Sequence, residues 1–290
     1  MSRQGEQGAT SPAEAPPPCE TAWAGRRLVW GARTYIMGII NMTDDSFSGD
    51  GLGVDTTQAV AQARRFVDEG ADLLDIGGES TRPGYTEVPV AEETRRLIPA
   101  IAAIAAAVPV PLSVDTRKPE TARAALDAGA HLINHVGATL AGNAMFHLAA
   151  ERGVPVAIMH NKHVAVYDDL IAEVLETLSQ ACRAASAAGV PVAHQIVDPG
   201  IGFGKTGEHN LLLLRRLGAL RALNRPLLVG PSRKRFLGTI LGTPVDDRLE
   251  GTAAAVALAI AGGADLVRVH DVRAMARVAR VADAICRDTR

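Results

Sequence analysis

The sequence predicts an α/β protein, a (β/α)8 TIM barrel forming a single domain over residues 21–290 behind a disordered tail over residues 1–20. Three observations point there. From residue 30 onward, eight short apolar runs alternate with longer stretches of helical periodicity, the pattern of βα units around a parallel sheet. The helical stretches repeatedly stop in the same way, at Gly70-Ala-Asp, Gly129-Ala-His, Gly153-Val-Pro, Gly189-Val-Pro and Gly263-Ala-Asp, where glycine supplies a left-handed helix end before the next strand. Nearly every apolar run also exits into a polar cluster, and no G-x-G-x-x-G follows the first. An open doubly wound sheet gathers its chemistry at one switch point, whereas a barrel collects it from the ends of many strands.

The predicted strands are Tyr35 to Ile40, Asp72 to Ile76, Pro111 to Val114, His131 to Asn134, Pro155 to Met159, His194 to Val197, Pro226 to Val229 and Asp265 to Val269. Candidate helices include Gln58 to Glu69, Ala91 to Ala107, Pro119 to Ala128, Asp168 to Ala188, Gly207 to Leu223 and Val272 to Cys286. The most apolar stretch, Ala253 to Ala264, is too short for the roughly 20 residues that span a bilayer and reads as a buried helix. Residues 1–20, rich in Pro, Gly, Glu and Gln, carry too little apolar surface to offset the entropy of ordering.

Composition limits the partners. Thirty Lys and Arg against 32 Asp and Glu leave no basic excess for a nucleic-acid backbone, so small molecules, or a second copy of the chain, are expected instead. Three cysteines without C-x-x-C spacing read as ordinary thiols in a reducing, cytoplasmic setting.

The strand exits carry the chemistry. The first leaves through Asn41 into NMTDDSFSGDG, a loop able either to cover a ligand or simply to turn at the surface. The second, DIGGESTRPG, presents Thr81 and Arg82, and Arg82 is the candidate clamp for a carboxylate, against the plainer reading of a surface arginine paired with Glu79 or Glu87. Strand 3 ends at Asp115, strand 4 at Asn134 and strand 6 at Asp198; together they suit a flat heterocycle with several N–H donors. With His160 after strand 5, the two aspartates make a zinc or manganese site the rival reading. Asp75 is either a buried structural partner or a member of the site. GPSRKRFLG opens a helix after strand 7 and brings Lys234 toward a phosphate or a ring oxygen. In RVHD, strand alternation sends Arg268 and His270 the same way, as an oxyanion or diphosphate cradle.

Taken together, NMTDDSFSGDG, DIGGESTRPG, SVDTRKPE, LIN, MH, DPGIGFGKT, SRK and RVHD stand in the order and roughly the spacing of the dihydropteroate synthases, and from 35 to 285 the chain resembles that family. The resemblance implies an enzyme of folate biosynthesis that condenses 6-hydroxymethyl-7,8-dihydropterin diphosphate with 4-aminobenzoate to give 7,8-dihydropteroate and pyrophosphate. It also implies magnesium (Mg2+) with the diphosphate, sulfonamide inhibition and a homodimer. By residue, it implies that Asp115, Asn134, Asp198 and Lys234 bind the pterin. Asn41, Arg268 and His270 would hold the diphosphate, with Asn41 also touching the metal, and Thr81, Arg82, Phe203 and Ser232 would line the aminobenzoate side. Asp115, Asp198, Lys234 and Arg268 are the implied catalytic set. Asp44, His135 and Asn161-Lys162-His163 depart from the family's usual residues, and His135 is expected to remove a carboxylate beside the pterin pocket. Two alternatives are a methyltetrahydrofolate-binding corrinoid methyltransferase on a similar barrel and a catalytically silent pterin-binding paralogue.

Overall fold

A computed structural model describes residues 20–42, 55–79, 88–140 and 142–287. The 1–19 stretch of the expected tail, the body of the loop after strand 1 with Asp44, and Thr81 and Arg82 lie outside the described residues. Eight parallel strands form the sheet: β3 (Tyr35–Asn41), β4 (Leu73–Gly77), β5 (Leu112–Asp115), β6 (Leu132–His135), β7 (Val156–Met159), β8 (Gln195–Asp198), β9 (Leu228–Val229) and β10 (Leu266–Val269). Each overlaps a predicted run. Neighbours follow the order β8-β7-β6-β5-β4-β3-β10-β9. The ends of that series meet through a parallel bridge between Val197 and Leu227, with the Val197 N–H donating to the Pro226 carbonyl at 2.9 Å. This contact closes the sheet into a barrel and excludes the open doubly wound alternative.

Around the barrel run α1 (Thr56–Asp68), α2 (Val90–Ala107), α3 (Pro119–Asp127), α4 (Ala144–Arg152), α5 (Leu170–Ala187), α6 (Gly207–Arg215), α7 (Arg235–Leu241), α8 (Leu249–Ala261) and α9 (Val272–Cys286). Their apolar stripes face the sheet at helical spacing, as with Val272, Met275, Ala279 and Ala282 of α9. Asp169 caps α5 by accepting from the Ile171 and Ala172 amides. The five predicted glycine stops all have positive φ. The helix predicted over Gly207 to Leu223 differs: α6 ends at Arg215 and a 3-10 segment occupies Leu217–Leu223. Gly218 weakens the helix there, while Leu217 and Leu220, three residues apart as a 3-10 turn stacks them, are both buried. Among the described residues no helix is long and apolar enough to cross a membrane. Cys182 is buried, its thiol pushed up to about 11 by burial, and Cys286 is exposed; both are free.

The apolar pattern predicts no element before Tyr35, yet an antiparallel hairpin, β1 (Glu20–Trp23) and β2 (Arg26–Val29), lies there. Its first residue, Glu20, belongs to the strand and not to the expected tail. Trp23 and Leu28 pack with Tyr35, Met37, Leu73, Leu132, Ala157, Ile196, Leu228 and Leu266, one apolar layer inside the barrel at the strands' N-terminal end. The hairpin is therefore the plug of that end. The Val29 amide donates to the Tyr35 hydroxyl at 2.8 Å, and the Thr21 hydroxyl donates to the Ala193 carbonyl at 2.6 Å, fastening it to the barrel. Trp23→Ala is expected to cost about 3 kcal/mol and roughly 10 °C in Tm, because the barrel floor cannot collapse into the space left. Urea and thermal unfolding check this, and an unchanged midpoint would mean that the plug carries no stability.

Candidate active site

The apolar floor establishes which residues of each strand face inward, and a period of two carries that assignment to the opposite, C-terminal end. Inward from the floor run Met37 to Asn41, Leu73 to Asp75, Ser113 to Asp115, Leu132 to Asn134, Ile196 to Asp198, and Leu266 to Arg268. The interior thus changes from apolar to polar along the barrel axis, and every sequence-predicted strand-exit residue among these lies at the polar end.

Arg268 is the hub. Its Nε donates to Asp75 Oδ2 at 2.5 Å and one terminal nitrogen donates to Asp115 Oδ2 at 2.7 Å. Asn134 Nδ2 donates to the same Asp75 oxygen at 3.0 Å. Asp75 is fully buried; its Oδ2 orients Arg268 and Asn134, and its Oδ1 is left without a protein partner, so the two roles left open for it coexist. Strand alternation alone could have found it, since it follows Leu73 on the inward face. Arg268 is held charged well above the ordinary guanidinium range, because the two carboxylates outweigh the cost of its burial. Burial pushes Asp115 up to about 7, with Asp75 and Glu93 adding to the rise and Arg268 and Lys234 opposing it. Burial likewise lifts Asp198 to about 6, against the Gly200 amide, which donates to its Oδ1 at 2.7 Å, and the charges of Lys234, Lys205 and Arg268.

Three buried acceptors at this end, Asp75 Oδ1, Asp115 Oδ1 and Asn134 Oδ1, have no hydrogen-bond partner within the described protein. Buried polar atoms are normally satisfied, so three unpartnered acceptors on neighbouring strands at one end of the barrel are suited to a ligand rich in N–H donors.

A second group lies beside them. Lys234, at the start of α7, places its ammonium 4.3 Å from the centre of the Phe203 ring. Phe203 belongs to the connection from β8 to α6, which packs tightly on the connection after β7. A Cβ on Gly200 would collide with the His160 carbonyl oxygen and one on Gly204 with that of Lys162, and both glycines have positive φ. His160 turns its Nδ1 to Lys205 Nζ, at 2.8 Å. Among the described residues no three His, Cys, Asp or Glu side chains are placed to hold a metal ion. Lys205, which the sequence reading passed over inside DPGIGFGKT, is buried and has its pKa lowered to about 7 by burial.

Ser232 and His270 meet directly. The serine Oγ lies 2.9 Å from His270 Nδ1 and accepts from the His270 amide at 3.2 Å. Arg233, between Ser232 and Lys234, grips Asp271 with two nitrogens at 3.0 and 2.7 Å, tying the exits of β9 and β10 together. Asn41 stands at the end of β3, half-buried and in register with Gly77.

Two sequence expectations change. His135 follows the inward-facing Asn134 and therefore points outward; its ring packs edge-on against Phe146 at 5.9 Å, away from the pocket. Glu79, weighed as a surface partner for Arg82, is buried. It accepts from Lys118 Nζ at 3.0 Å and from the Val88 amide at 2.7 Å, while Lys118 also donates to Glu93 at 2.9 Å and to the Val88 carbonyl at 2.6 Å. No periodicity marks this network, whose members come from three separate segments.

A family model described as pterin binding enzyme matches residues 37–270. The chain belongs to the pterin-binding enzyme family. Among proteins similar to this pterin-binding enzyme, the dihydropteroate synthase of Synechocystis sp. is 46% identical over 266 residues, covering 89% of this chain and 92% of that one. The Xanthomonas albilineans dihydropteroate synthase, solved with 4-aminobenzoic acid, is 46% identical with a TM-score of 0.86, covering 92% of this chain and 98% of that one. The Yersinia pestis dihydropteroate synthase in complex with a sulfonamide drug has a TM-score of 0.88 at 38% identity, with the same coverage, 92% and 98%.

Proposed function

We propose that this pterin-binding enzyme is a dihydropteroate synthase, joining 6-hydroxymethyl-7,8-dihydropterin diphosphate to 4-aminobenzoate. The observation that carries the reading is the trio of unpartnered buried acceptors on Asp75, Asp115 and Asn134, set against the Arg268 guanidinium. Asp115, Asn134, Asp198 and Lys234 hold the pterin edge. Asn41, Arg268 and His270 receive the diphosphate, and Phe203 and Ser232, with Thr81 and Arg82 of the DIGGESTRPG motif, receive the aminobenzoate.

In the reaction the bond between the pterin methylene carbon and the diphosphate oxygen breaks, its electron pair leaving with pyrophosphate. The aryl amine nitrogen bonds to that carbon and gives up a proton. Arg268 and His270 stabilise the charge gathering on the leaving group, while Asp115 and Asp198 support the cationic character that spreads into the ring. Lys234, between Phe203 and the two aspartates, holds the ring edge. Magnesium fits this site as a partner of the diphosphate: Asn41 offers one hard oxygen at the mouth, and such an ion is commonly held by few protein oxygens together with substrate phosphates. When bound, it neutralises diphosphate charge.

A homodimer and a cytoplasmic location go with the same reading. α8 buries Thr252, Ala255, Val256, Ala259 and Ile260 within its own chain, and Leu258, with Val281 and Ile285 of α9, stays exposed for a second copy.

A pyrophosphate-release assay with magnesium tests the reading. Turnover that requires both substrates supports it, and pterin binding without turnover would favour a silent paralogue, for which His135 no longer speaks. The kcat/KM for the pterin diphosphate, which titrates the free enzyme, is expected to rise with pH through about 6 and about 7. The sign follows from the raised pKa values: below them Asp198 and Asp115 keep their protons and no longer accept fully from ring N–H groups. An acid limb centred near the ordinary carboxylate value of about 4 would contradict the burial argument. Arg82→Ala is expected to raise the KM for 4-aminobenzoate by about tenfold or more while leaving that for the pterin diphosphate nearly unchanged. Equal losses would remove the clamp assignment.

A further inference from the structure

The backbone of Phe203 and Gly204 is held by a chain of side-chain contacts. The Lys205 ammonium lies 2.9 Å from the Phe203 carbonyl oxygen and 2.8 Å from His160 Nδ1. His160 is buried, and burial together with the Lys205 charge pushes its imidazole down to about 3, so the ring is neutral. Below about pH 7, where Lys205 is charged, Nδ1 presents its lone pair and accepts. Next along the same connection, the Gly204 carbonyl accepts from the Tyr167 hydroxyl at 2.8 Å, and the Tyr167 ring lies between His160 at 6.1 Å and His209 at 5.0 Å. Two glycines bring the connection onto the His160 and Lys162 carbonyls, leaving its backbone little freedom. The Phe203 ring emerges from this anchored backbone against Lys234.

We propose that Lys205, seated on His160, is a positioning residue that fixes the Phe203 ring against Lys234 and thereby orients the arylamine substrate for attack on the pterin methylene carbon. The proposal rests on the synthase reading, in which Phe203 lines the aminobenzoate side. Lys205 reaches the arylamine through Phe203, with two of its donors on His160 and the Phe203 carbonyl, while its charge also favours the ionised form of Asp198. The cost of misplacing one reactant falls on that reactant, and displacements of about 1 Å are enough to reduce rates severely.

The test compares steady-state kinetics for both substrates, and Tm, in Lys205→Met, His160→Leu and His160→Gln. Lys205→Met keeps the apolar stem and removes the donors, His160→Leu removes the acceptor, and His160→Gln supplies an amide oxygen in its place. His160→Leu is expected to raise the KM for 4-aminobenzoate about tenfold while that for the pterin diphosphate stays within about twofold, and His160→Gln is expected to recover most of the loss; Lys205→Met is expected to give the same rise for 4-aminobenzoate with a smaller change for the pterin diphosphate, through the charge lost near Asp198. Equal rises for both substrates, or a lower Tm with unchanged kinetics of the folded enzyme, would overturn the proposal, since a merely structural lysine has no reason to discriminate between substrates. Should Lys205→Met fail to fold, the His160→Leu and His160→Gln pair carries the same comparison. Failure of the synthase reading itself shows separately, as a parent enzyme that releases no pyrophosphate.

Discussion

Arg268→Ala is expected to unfold about 10 °C below the parent and to lose turnover with the pterin diphosphate by about 10²-fold or more. The stability loss comes from what is left behind. Asp75 is fully buried and Asp115 nearly so, and the guanidinium that bridges them at 2.5 and 2.7 Å is their principal countercharge. Removing one partner of such a buried set costs about 3–5 kcal/mol, because the remaining carboxylates must either stay charged without compensation or take up protons. Arg268→Lys keeps the charge but not the planar fork, so it cannot donate to both carboxylates as the guanidinium does, and only part of the stability should return. Adding Asp75→Asn to Arg268→Ala should also restore part of it by removing one buried charge. Differential scanning calorimetry reads all three, and a Tm unmoved by Arg268→Ala would show that the carboxylates do not depend on it.

Lys234→Ala has the opposite profile: kcat/KM for the pterin diphosphate is expected to fall about 10²–10³-fold while Tm moves by no more than about 2 °C. The side chain makes no capping hydrogen bond to α7, so the helix does not rely on it. Its ammonium sits over Phe203 and its charge acts on both Asp115 and Asp198, which places it among the groups that meet the substrate. Loss of folding together with activity would instead make Lys234 a structural residue. The two substitutions therefore separate a charge that both holds the barrel mouth together and meets the ligand from one that meets the ligand alone.

Much of this molecule is legible in its residues. All eight barrel strands, the five glycine stops and the polar strand exits follow from short-range rules, because burial on both faces of a parallel strand and the left-handed helix end leave marks within a few residues. The placement of Asp115, Asn134, Asp198 and Arg268 at the polar end follows for the same reason, each being the last inward position of its strand. The N-terminal hairpin left a weaker trace: two four-residue strands around Ala24-Gly25 carry too little periodicity to stand out, and their stability comes from a barrel floor assembled from residues far along the chain. His135 shows the limit of reading by adjacency, since a neighbour in sequence on a strand faces the other side of the sheet.

By itself, then, the sequence determined the alternation of strands and helices, the end of the barrel that carries polar groups, and membership in a pterin-binding family. Only the tertiary structure decided how those groups are joined. Arg268 and Asp75 stand 193 residues apart, and Lys205 and His160 stand 45 apart. Strand period says that each faces inward or lies at a strand exit, but partners across the barrel are chosen by register and closure, which depend on the whole ring. The physical reason is the range of the interactions: helix ends and strand faces are set by local backbone sterics and burial, whereas a guanidinium finds two carboxylates only after the sheet has closed around them.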